Sequence, residues 1–590
     1  MNVGFDFGTT NSLISVVVGN RVVNIVDDEG LPIPSVVRYE GEKVTVGKGA
    51  KEQLDSAGLG VHGNTIRSPK FLLAEDAVYV GGVERDPRDI VGDVVRFAKE
   101  EALQSPHAKH LGGVKQAVVT IPVTMNGSRR AKLRDSFRSA DIGIVQYVHE
   151  PLAALYGYVR SLDDPKSFAL GLQNRNVLVV DWGGGTLDLT LCRIEANKVS
   201  QIRNGGSEEI GGDRFDHAIR DEVIKRAMES AGIETQALIS PEAKLRLLHT
   251  SEVNKIELSD RESVTFYRPG FFESEDLNYR LTRSELDEIT RPLVDAGISE
   301  IKSLLESVNL GPSQVSLCLV AGGMASMPSI RGRINEIFGP QRVIVPQNSG
   351  TLISEGAAWI AHDGEMLHLA KPVELQLARG SFLTLIKSGA SMPRGRKISK
   401  NQVKVYCTDP SDGIAKIQLC TPTRLSKTPS NSEPRSSLGN LTVNVDARAG
   451  LFQERIDIES VIDEDLILTV TAKSSDVKDS DRSTFFDLEF GIDLPVNLFG
   501  SVSDPKPEIE DGYVKAPGDL LLRANISLEK EQALVPGEVL YRKNPGAFNR
   551  DNYRDDRATE QQVREYLYYQ PCSVCGRDSS DVECRCDVTG

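Results

Sequence analysis

Two short segments place a carboxylate at the end of a β-rich run and follow it with glycines and hydroxyl side chains. The first is Asp6-Phe7-Gly8-Thr9-Thr10-Asn11; the second is Asp181-Trp182-Gly183-Gly184-Gly185-Thr186-Leu187-Asp188. A tight glycine-rich turn can aim several backbone N–H groups at one anion, and glycine has no Cβ to keep that anion away. Threonine hydroxyls and the Asn11 amide add donors. A carboxylate at the strand end suits a hard cation such as Mg2+, which prefers oxygen ligands. Either turn alone would pass for an ordinary hairpin. Two in one chain, each with its carboxylate, predict a two-sided clamp around a Mg-nucleotide. The sequence holds no Gly-x-x-x-x-Gly-Lys-Ser/Thr loop, so the clamp is not of the P-loop kind.

The elements that must hold these turns are legible as strand and helix periodicity. Val3–Asp6, Ser12–Val18, Ala117–Ile121, Val177–Asp181, Leu187–Cys192 and Val315–Val320 read as buried strands. Arg129–Ala140, Asp213–Ser230, Pro241–Leu258 and Thr282–Val308 have helical spacing. Strands alternating with helices predict an α/β architecture over residues 1–365. The recurrence of an aspartate-bearing strand and turn predicts two related halves facing each other across a cleft. Residues 366–379 read as a connector. From 380 to 495 the runs are short and alternating: Phe382–Ile386, Val403–Tyr406, Ala415–Leu419, Leu441–Val445, Leu466–Thr471 and Phe485–Phe490, with a Ser/Pro-rich loop at Thr421–Gly439. This pattern predicts an all-β sandwich. Residues 496–565 are rich in Pro, Gly and Asp and read as extended or loosely structured. A short helical stretch, Ala558–Tyr569, leads into a small module at 566–590.

Hydrophobic residues make up 39% and charged residues 26%, as expected of a globular protein with real cores. A formal net charge of -15 argues against a nucleic-acid partner. No run approaches the 18 apolar residues of a membrane span, and the N-terminus lacks a signal-peptide pattern, so a cytoplasmic protein without membrane contact is expected. Of eight cysteines, Cys192, Cys318, Cys407 and Cys420 sit in apolar stretches and read as core residues. Cys572, Cys575, Cys584 and Cys586 crowd into the last 19 residues as two pairs. Four thiolates suit tetrahedral Zn2+, and the spacing predicts a zinc-knuckle-like module; unbound or redox thiols are the other reading.

Several further segments, taken with the two turns, resemble a family. The turns are similar to those of the actin, sugar-kinase and Hsp70 superfamily, and the rest resembles Hsp70 (DnaK-like) proteins in particular. Ala117–Asn126 with Arg129 and Arg130 resembles the family's strand-Pro-helix element. His149-Glu150-Pro151-Leu152-Ala153-Ala154 resembles its Asn-Glu-Pro-Thr-Ala-Ala motif. Ile210–Asp216, Val253–Ser259 and Leu319–Pro328 resemble its Leu-Gly-Gly-Glu-Asp-Phe-Asp, Ala-Lys-Ile-Glu-Leu-Ser and Leu-Val-Gly-Gly-x-Thr-Arg-x-Pro segments. Leu466–Lys473 resembles a strand of its β domain. The resemblance covers 1–365 strongly and 380–475 weakly. Residues after about 500 do not resemble the family's helical lid.

The resemblance implies an actin-like, two-lobed ATPase domain and a set of roles. Lys70 aligns with the catalytic lysine, which neutralises charge building on the γ-phosphate. Glu150 aligns with a carboxylate that helps place Mg2+ and its water shell. Asp181 orients water or acts as a weak base, and Thr186 faces the γ-phosphate. Asp6, Gly8, Thr9, Thr10, Asn11, Gly183, Gly184, Gly185 and Asp188 line the phosphate and Mg2+ site. Gly211, Gly212 and Asp213 approach the β-phosphate or ribose. Glu252, Lys255 and Ser259 share a helix face toward ribose and adenine, and Gly322 and Gly323 pass close to the nucleoside. The implied cofactors are ATP or ADP and Mg2+, with K+ as a further candidate.

The same resemblance implies a chaperone that couples ATP hydrolysis to the binding of unfolded or apolar peptide segments. A J-domain protein and a nucleotide exchange factor would be its partners. Two alternatives stay open: an ATP-binding regulator that clamps one dedicated protein partner, and an actin-fold small-molecule kinase. Some positions depart from the family pattern. Ser326 stands where an Arg usually covers the adenine, and Phe71 stands where an Arg often follows the lysine. Gln146 and His149 replace an Arg and an Asn near the J-domain contact. The connector's Val-Glu-Leu-Gln-Leu carries a charge, Glu374, inside what resembles an apolar linker.

Overall fold

The computed structural model describes residues 2–27, 30–57, 64–104, 113–195, 197–233, 239–272, 275–393, 399–426, 429–495 and 539–541. They fall in two compact units. The first holds the chain through Met366 and takes it up again at Ile492; the second holds Leu367–Gly491 and the segment at 539–541.

The first unit is built on two sheets of matching topology. In one, β1 (Asn2–Phe7), β2 (Asn11–Val18) and β3 (Arg21–Ile25) form an antiparallel meander. β4 (Gln116–Ile121) lies parallel to β1, and β5 (Gly143–His149) lies parallel to β4, giving the order β5-β4-β1-β2-β3. In the other, β6 (Asn176–Trp182), β7 (Leu187–Glu195) and β8 (Lys198–Ser207) repeat the meander. β9 (Val315–Ala321) runs parallel to β6 and β10 (Val343–Ile344) parallel to β9, giving β10-β9-β6-β7-β8. These five strands therefore match in order and direction between the two halves, as expected of related units. Nearly every residue of β6 and β7 is buried, as a sheet covered on both faces requires.

Helices flank these sheets. α1 (Lys48–Ala57) lies in the first half; α2 (Glu150–Ser161) follows β5 directly. α3 (Gly212–Ala231), α4 (Pro241–Glu257) and α5 (Arg283–Ser307) belong to the second half. α5 starts in a full capping box, in which Thr282 and Glu285 satisfy each other's backbone donors. α6 (Pro328–Phe338) follows β9, and α7 (Leu352–Asp363) packs on α2. These two helices cross backbone to backbone. A Cβ at Gly356 would fall 1.8 Å from the Ala153 carbonyl, so only glycine fits there. After its excursion the chain rejoins this unit, where the Leu494 N–H donates to the Asn197 carbonyl at 2.6 Å.

The second unit is a sandwich of two antiparallel sheets. One has the order β12-β11-β14-β15, from β11 (Val373–Leu377), β12 (Ser381–Ile386), β14 (Ile414–Pro422) and β15 (Arg435–Asn444). The other has the order β18-β17-β16-β13-β19, from β13 (Ser399–Cys407), β16 (Arg455–Ile462), β17 (Leu468–Ser474), β18 (Ser480–Phe485) and β19 (Val539–Tyr541). Alternating burial along β16 and β17 shows one face turned into the core. Asp481 and Asp479 accept from the N–H groups of Thr442 and Asn444, both at 2.9 Å, and tie β15 to β18 through side chains.

Three readings change. Val373–Leu377, read as part of a connector over 366–379, is the strand β11 between β12 and β14. Its Glu374 is buried and paired with Arg435 at 2.6 Å, and the Arg435 guanidinium lies over the Phe382 ring. The apolar run resembles a linker, and Glu374 stands out in it because the arginine that pairs with it lies 61 residues away. Phe485–Phe490 is not one strand: β18 ends at Phe485, and a separate strand begins at Phe490. The loop expected at Thr421–Gly439 is shorter, since β15 already begins at Arg435. Cys192, Cys318, Cys407 and Cys420 are buried free thiols. The Ala558–Tyr569 helix and the Cys572, Cys575, Cys584 and Cys586 cluster lie outside the described residues.

Candidate nucleotide-binding site

β1 and β6 end at equivalent places in the two halves, and their turns open into one cavity of about 790 Å3 in the first unit. Asp6, Gly8, Thr9, Thr10 and Asn11 line it from one side; Asp181, Gly183, Gly184, Gly185 and Thr186 line it from the other. The turns fit into each other. A Cβ at Gly184 would fall 2.1 Å from Thr10 Oγ1, and one at Gly185 2.4 Å from Thr9 Oγ1. The glycines thus make room for threonines of the opposite turn. Ser35, outside the cavity lining, holds the first turn by donating its Oγ to the Gly8 carbonyl (3.0 Å) and its N–H to the Thr10 carbonyl (2.8 Å).

Carboxylates and one ammonium gather at the base. Lys70 sits on a 3-10 turn, Pro69–Ala74, entered through Ser68 in the left-handed region at φ 54°. A non-glycine residue held there carries backbone strain, of order 1 kcal/mol. Lys70 Nζ lies 2.9 Å from Glu150 Oε1, and both side chains are buried. Asp6 accepts from Thr120 Oγ1 at 2.8 Å. Asp188 accepts from the Val123 N–H at 2.8 Å and lies just behind the lining. Glu150, Asp181 and Asp188 can each bring a carboxylate oxygen within 4.8 Å of the others. Burial, reinforced by Glu150, pushes Asp6 up to about 6 and Asp188 up to about 7. Burial and the neighbouring Glu150, Asp188 and Asp6 raise Asp181 well above the ordinary range. Asp181 Oδ1, Asp188 Oδ2 and Thr10 Oγ1 are buried with no hydrogen-bond partner. Buried carboxylates that outnumber the cations around them, with orphaned oxygens, fit a divalent cation and the phosphates it accompanies.

The far wall comes from the second half. Trp182, fully buried at the end of β6, donates its indole N–H to the Ile210 carbonyl at 2.7 Å and so fixes the 210–213 loop. The Gly212 and Asp213 N–H groups donate to the Gly183 and Gly184 carbonyls (3.1 and 2.7 Å). Gly211 packs on Gly185 outside the lining, while Gly212 and Asp213 line the cavity. These residues therefore buttress the second turn, and the Gly212 and Asp213 amides are already engaged.

Glu252 and Lys255 line the cavity from one face of α4. Ser259 lines it too, but from the turn beyond Glu257, where α4 has ended, so the helix face expected of all three holds for the first two alone. Lys255 Nζ is bound to Asp216 Oδ1 (2.8 Å) and to the Gly212 carbonyl (3.1 Å). Burial lifts Asp216 to about 6 despite that lysine. Glu252 reaches across the cleft: its carboxylate takes Lys51 at 2.8 Å and Arg67 at 3.1 Å, from α1 and the strand Thr65–Arg67 of the first half. Burial would raise its pKa, but His249, Lys51 and Arg67 hold it well below the ordinary carboxylate range. Ser68 Oγ makes a second bridge, to Asp213 Oδ2 at 3.3 Å. Gly322 and Gly323 both line the cavity.

Some lining residues went unread in the sequence. Ser326 is present as expected, but Arg331, one helical turn past Pro328, also lines the cavity, with its Nε bound to the Ala325 carbonyl at 2.6 Å. Ile256 lines the rim and is 61% exposed. The signal for Arg331 was available: Pro328 begins α6, so a residue three further on lies on the first turn, beside the Gly322–Ser326 loop.

The sequence profile described as "Hsp70 protein" matches residues 2–77 and 73–484. The chain belongs to the Hsp70 family. Among curated relatives, "Chaperone protein DnaK" of Mycoplasma mycoides subsp. mycoides is 26% identical over 550 residues, covering 90% of this chain and 85% of that one. The DnaK of Thermosipho melanesiensis is 29% identical over 434 residues (71% and 69%), and that of Halobacterium salinarum 28% over 405 (66% and 61%). Membership makes the chain an Hsp70-type chaperone and an ATPase, with the actin-like domain and β sandwich of that family. Neither the dedicated-partner regulator nor the small-molecule kinase is favoured. In this Hsp70, His149 and Gln146 are interior residues. His149 Nδ1 lies 3.2 Å from Gln201 Oε1, and burial, with Arg130 adding to it, lowers its pKa to about 3. Gln146 Nε2 donates to the Glu365 carbonyl at 2.8 Å. Among the described residues no helix is long and apolar enough to cross a membrane.

Proposed function

We propose that the cavity between the two glycine turns is the site where this Hsp70 binds and hydrolyses ATP, and that hydrolysis controls how its β unit holds unfolded or apolar peptide segments. One observation carries this reading: both turns, Lys70 and the buried carboxylates line or adjoin the same cavity. Amides of the 8–11 and 183–186 turns, with the Thr9, Thr10 and Thr186 hydroxyls, hold the phosphates. Asp6, Glu150, Asp181 and Asp188 would hold Mg2+. Bound there, Mg2+ would neutralise charge on the phosphate oxygens. Lys70 neutralises charge building on the transferred phosphoryl group, and Asp181 orients the attacking water. Ile256 and Arg331 cover the adenine, so Arg331 takes the place that Ser326 leaves empty.

The proposed partners are apolar peptide segments, a J-domain protein and a nucleotide exchange factor, in the cytoplasm. Gln146 and His149 are held inside the domain, so a J-domain protein would dock through other surface groups. K+ is a further candidate near the phosphates. Cys572, Cys575, Cys584 and Cys586 would bind structural Zn2+; equal zinc content in wild type and Cys572→Ser would defeat that assignment.

The deciding experiment is the ATPase rate measured with a short apolar peptide, with a J-domain protein, and with candidate sugars. Stimulation by peptide or J-domain protein is expected. ADP production that depends on a sugar would overturn the chaperone reading.

A further inference from the structure

The second sheet of the β unit ends in a strand that comes from far along the chain. β13 pairs with β16 along one edge, from Ser399↔Ile462 to Tyr406↔Arg455. Its other edge is taken by β19, which runs antiparallel in the register Val405↔Tyr541, Tyr406↔Leu540, Cys407↔Val539. β19 also lies within 8 Å, Cα to Cα, of β11 and β14 in the first sheet. A three-residue strand thus pairs with the last three residues of β13, Val405–Cys407, on the edge opposite β16.

An unpaired strand edge offers a row of backbone donors and acceptors to any extended chain, and added peptides commonly bind by extending such an edge. The sequence of β19 suits that mode. Val539-Leu540-Tyr541 is an apolar triplet preceded by Pro536-Gly537-Glu538 and followed by Arg542-Lys543. β13 itself meets it with Val405, Tyr406 and Cys407, all buried.

We propose that residues 539–541 are an internal pseudo-client: a segment of this chain that occupies the β13 edge and competes with external peptides for it. This rests on the reading of the β unit as a peptide-holding domain. A tethered segment acts at an effective concentration near the millimolar range, so external peptides must displace it before they bind. Clients with a weaker edge-pairing sequence would be excluded, and release of the segment would open the site.

The test uses the full chain and a variant in which Val539, Leu540 and Tyr541 are all replaced by Ser. Fluorescence anisotropy follows two labelled probes: an unrelated apolar heptapeptide, and a synthetic peptide covering residues 536–544. The variant is expected to bind both probes about tenfold more tightly than wild type, and unlabelled 536–544 is expected to displace the heptapeptide. Equal affinity of wild type and variant for the heptapeptide would overturn the proposal while leaving the peptide-holding reading in place. Binding of 536–544 alone, with no heptapeptide binding to the variant, would support the pseudo-client and remove general client binding. If the variant binds neither probe, both fail. A Leu540→Pro variant, which removes one backbone donor from β19, should reproduce the gain.

Discussion

Lys70 and Glu150 meet end to end inside the protein, 2.9 Å apart, with 2% and 6% of their surfaces exposed. The pair spans 80 residues of sequence and joins a 3-10 turn of one segment to the first turn of α2. Neither charge has much access to water, so each depends on the other, and the pair is held ready at the edge of the cavity.

Replacing Lys70 by Ala should lower single-turnover hydrolysis by about 10²-fold or more, the scale expected when one preorganised electrostatic group is lost. ATP affinity should change little, because the turns hold the phosphates. The variant should also melt at a lower temperature, since breaking a buried pair and leaving Glu150 alone costs about 3 kcal/mol. Unchanged hydrolysis would take Lys70 out of the chemistry.

The bridge from Glu252 to Lys51 and Arg67 joins the two halves beside the cavity proposed to hold the nucleotide. Loss of those charge-assisted bonds in Glu252→Gln should weaken closure by about 1.5 kcal/mol and speed ADP release roughly tenfold, read by stopped-flow with a fluorescent analogue. The Glu252 carboxyl lies below its ordinary value of 4.5 in the folded state. Its contribution is therefore complete at neutral pH and fades as the pH falls below the ordinary carboxylate range. The difference in melting temperature between wild type and Glu252→Gln should stay constant from pH 8 to about pH 5 and shrink in stronger acid.

Asp188 behaves in the opposite sense. Its folded pKa, about 7, lies above the ordinary 3.8. Between those values the folded state binds more protons than the unfolded chain, so stability without Mg2+ should fall as the pH rises through that window. Asp188→Asn should remove that part of the pH dependence and raise the melting temperature of the cation-free protein by about 2 °C. Its Mg2+-dependent turnover should fall sharply, a trade of activity for stability. A variant with normal turnover would show that the carboxylate serves the fold alone.

If Arg331 covers the adenine, Arg331→Ala should weaken ADP binding by about 1 kcal/mol, close to fivefold, in isothermal titration. The double variant Ser326→Arg with Arg331→Ala should recover it. Equal affinities in all three proteins would place the base elsewhere.

The elements of the first unit were legible because their period is strong and their ends are marked. The helix read at Pro241–Leu258 is Pro241–Glu257, and Thr282, read as a helix start, is its cap. The turns could be read for the same reason: Gly183-Gly184-Gly185 after a buried strand has few other uses. Contacts between distant residues left less trace. The helix face of Glu252 was legible and it lines the cavity, but its partners Lys51 and Arg67 lie about 200 residues earlier and left no local trace. Glu374 looked out of place until Arg435 was set beside it. β19 has the composition of many loop-borne apolar triplets, and only its pairing with β13 distinguishes it.

The interlocked turns carry a consequence for how this chain can change over time. Thr9 and Thr10 stand in the space that Gly185 and Gly184 leave open. A methyl group gained at either glycine collides with the matching threonine, and shortening a threonine opens a gap that an alanine could then fill. The two loops therefore form one heritable unit although about 175 residues separate them. Drift in one strands the protein unless the other follows, so their joint history should be traceable as paired exchanges of size, long after the surrounding surface has diverged.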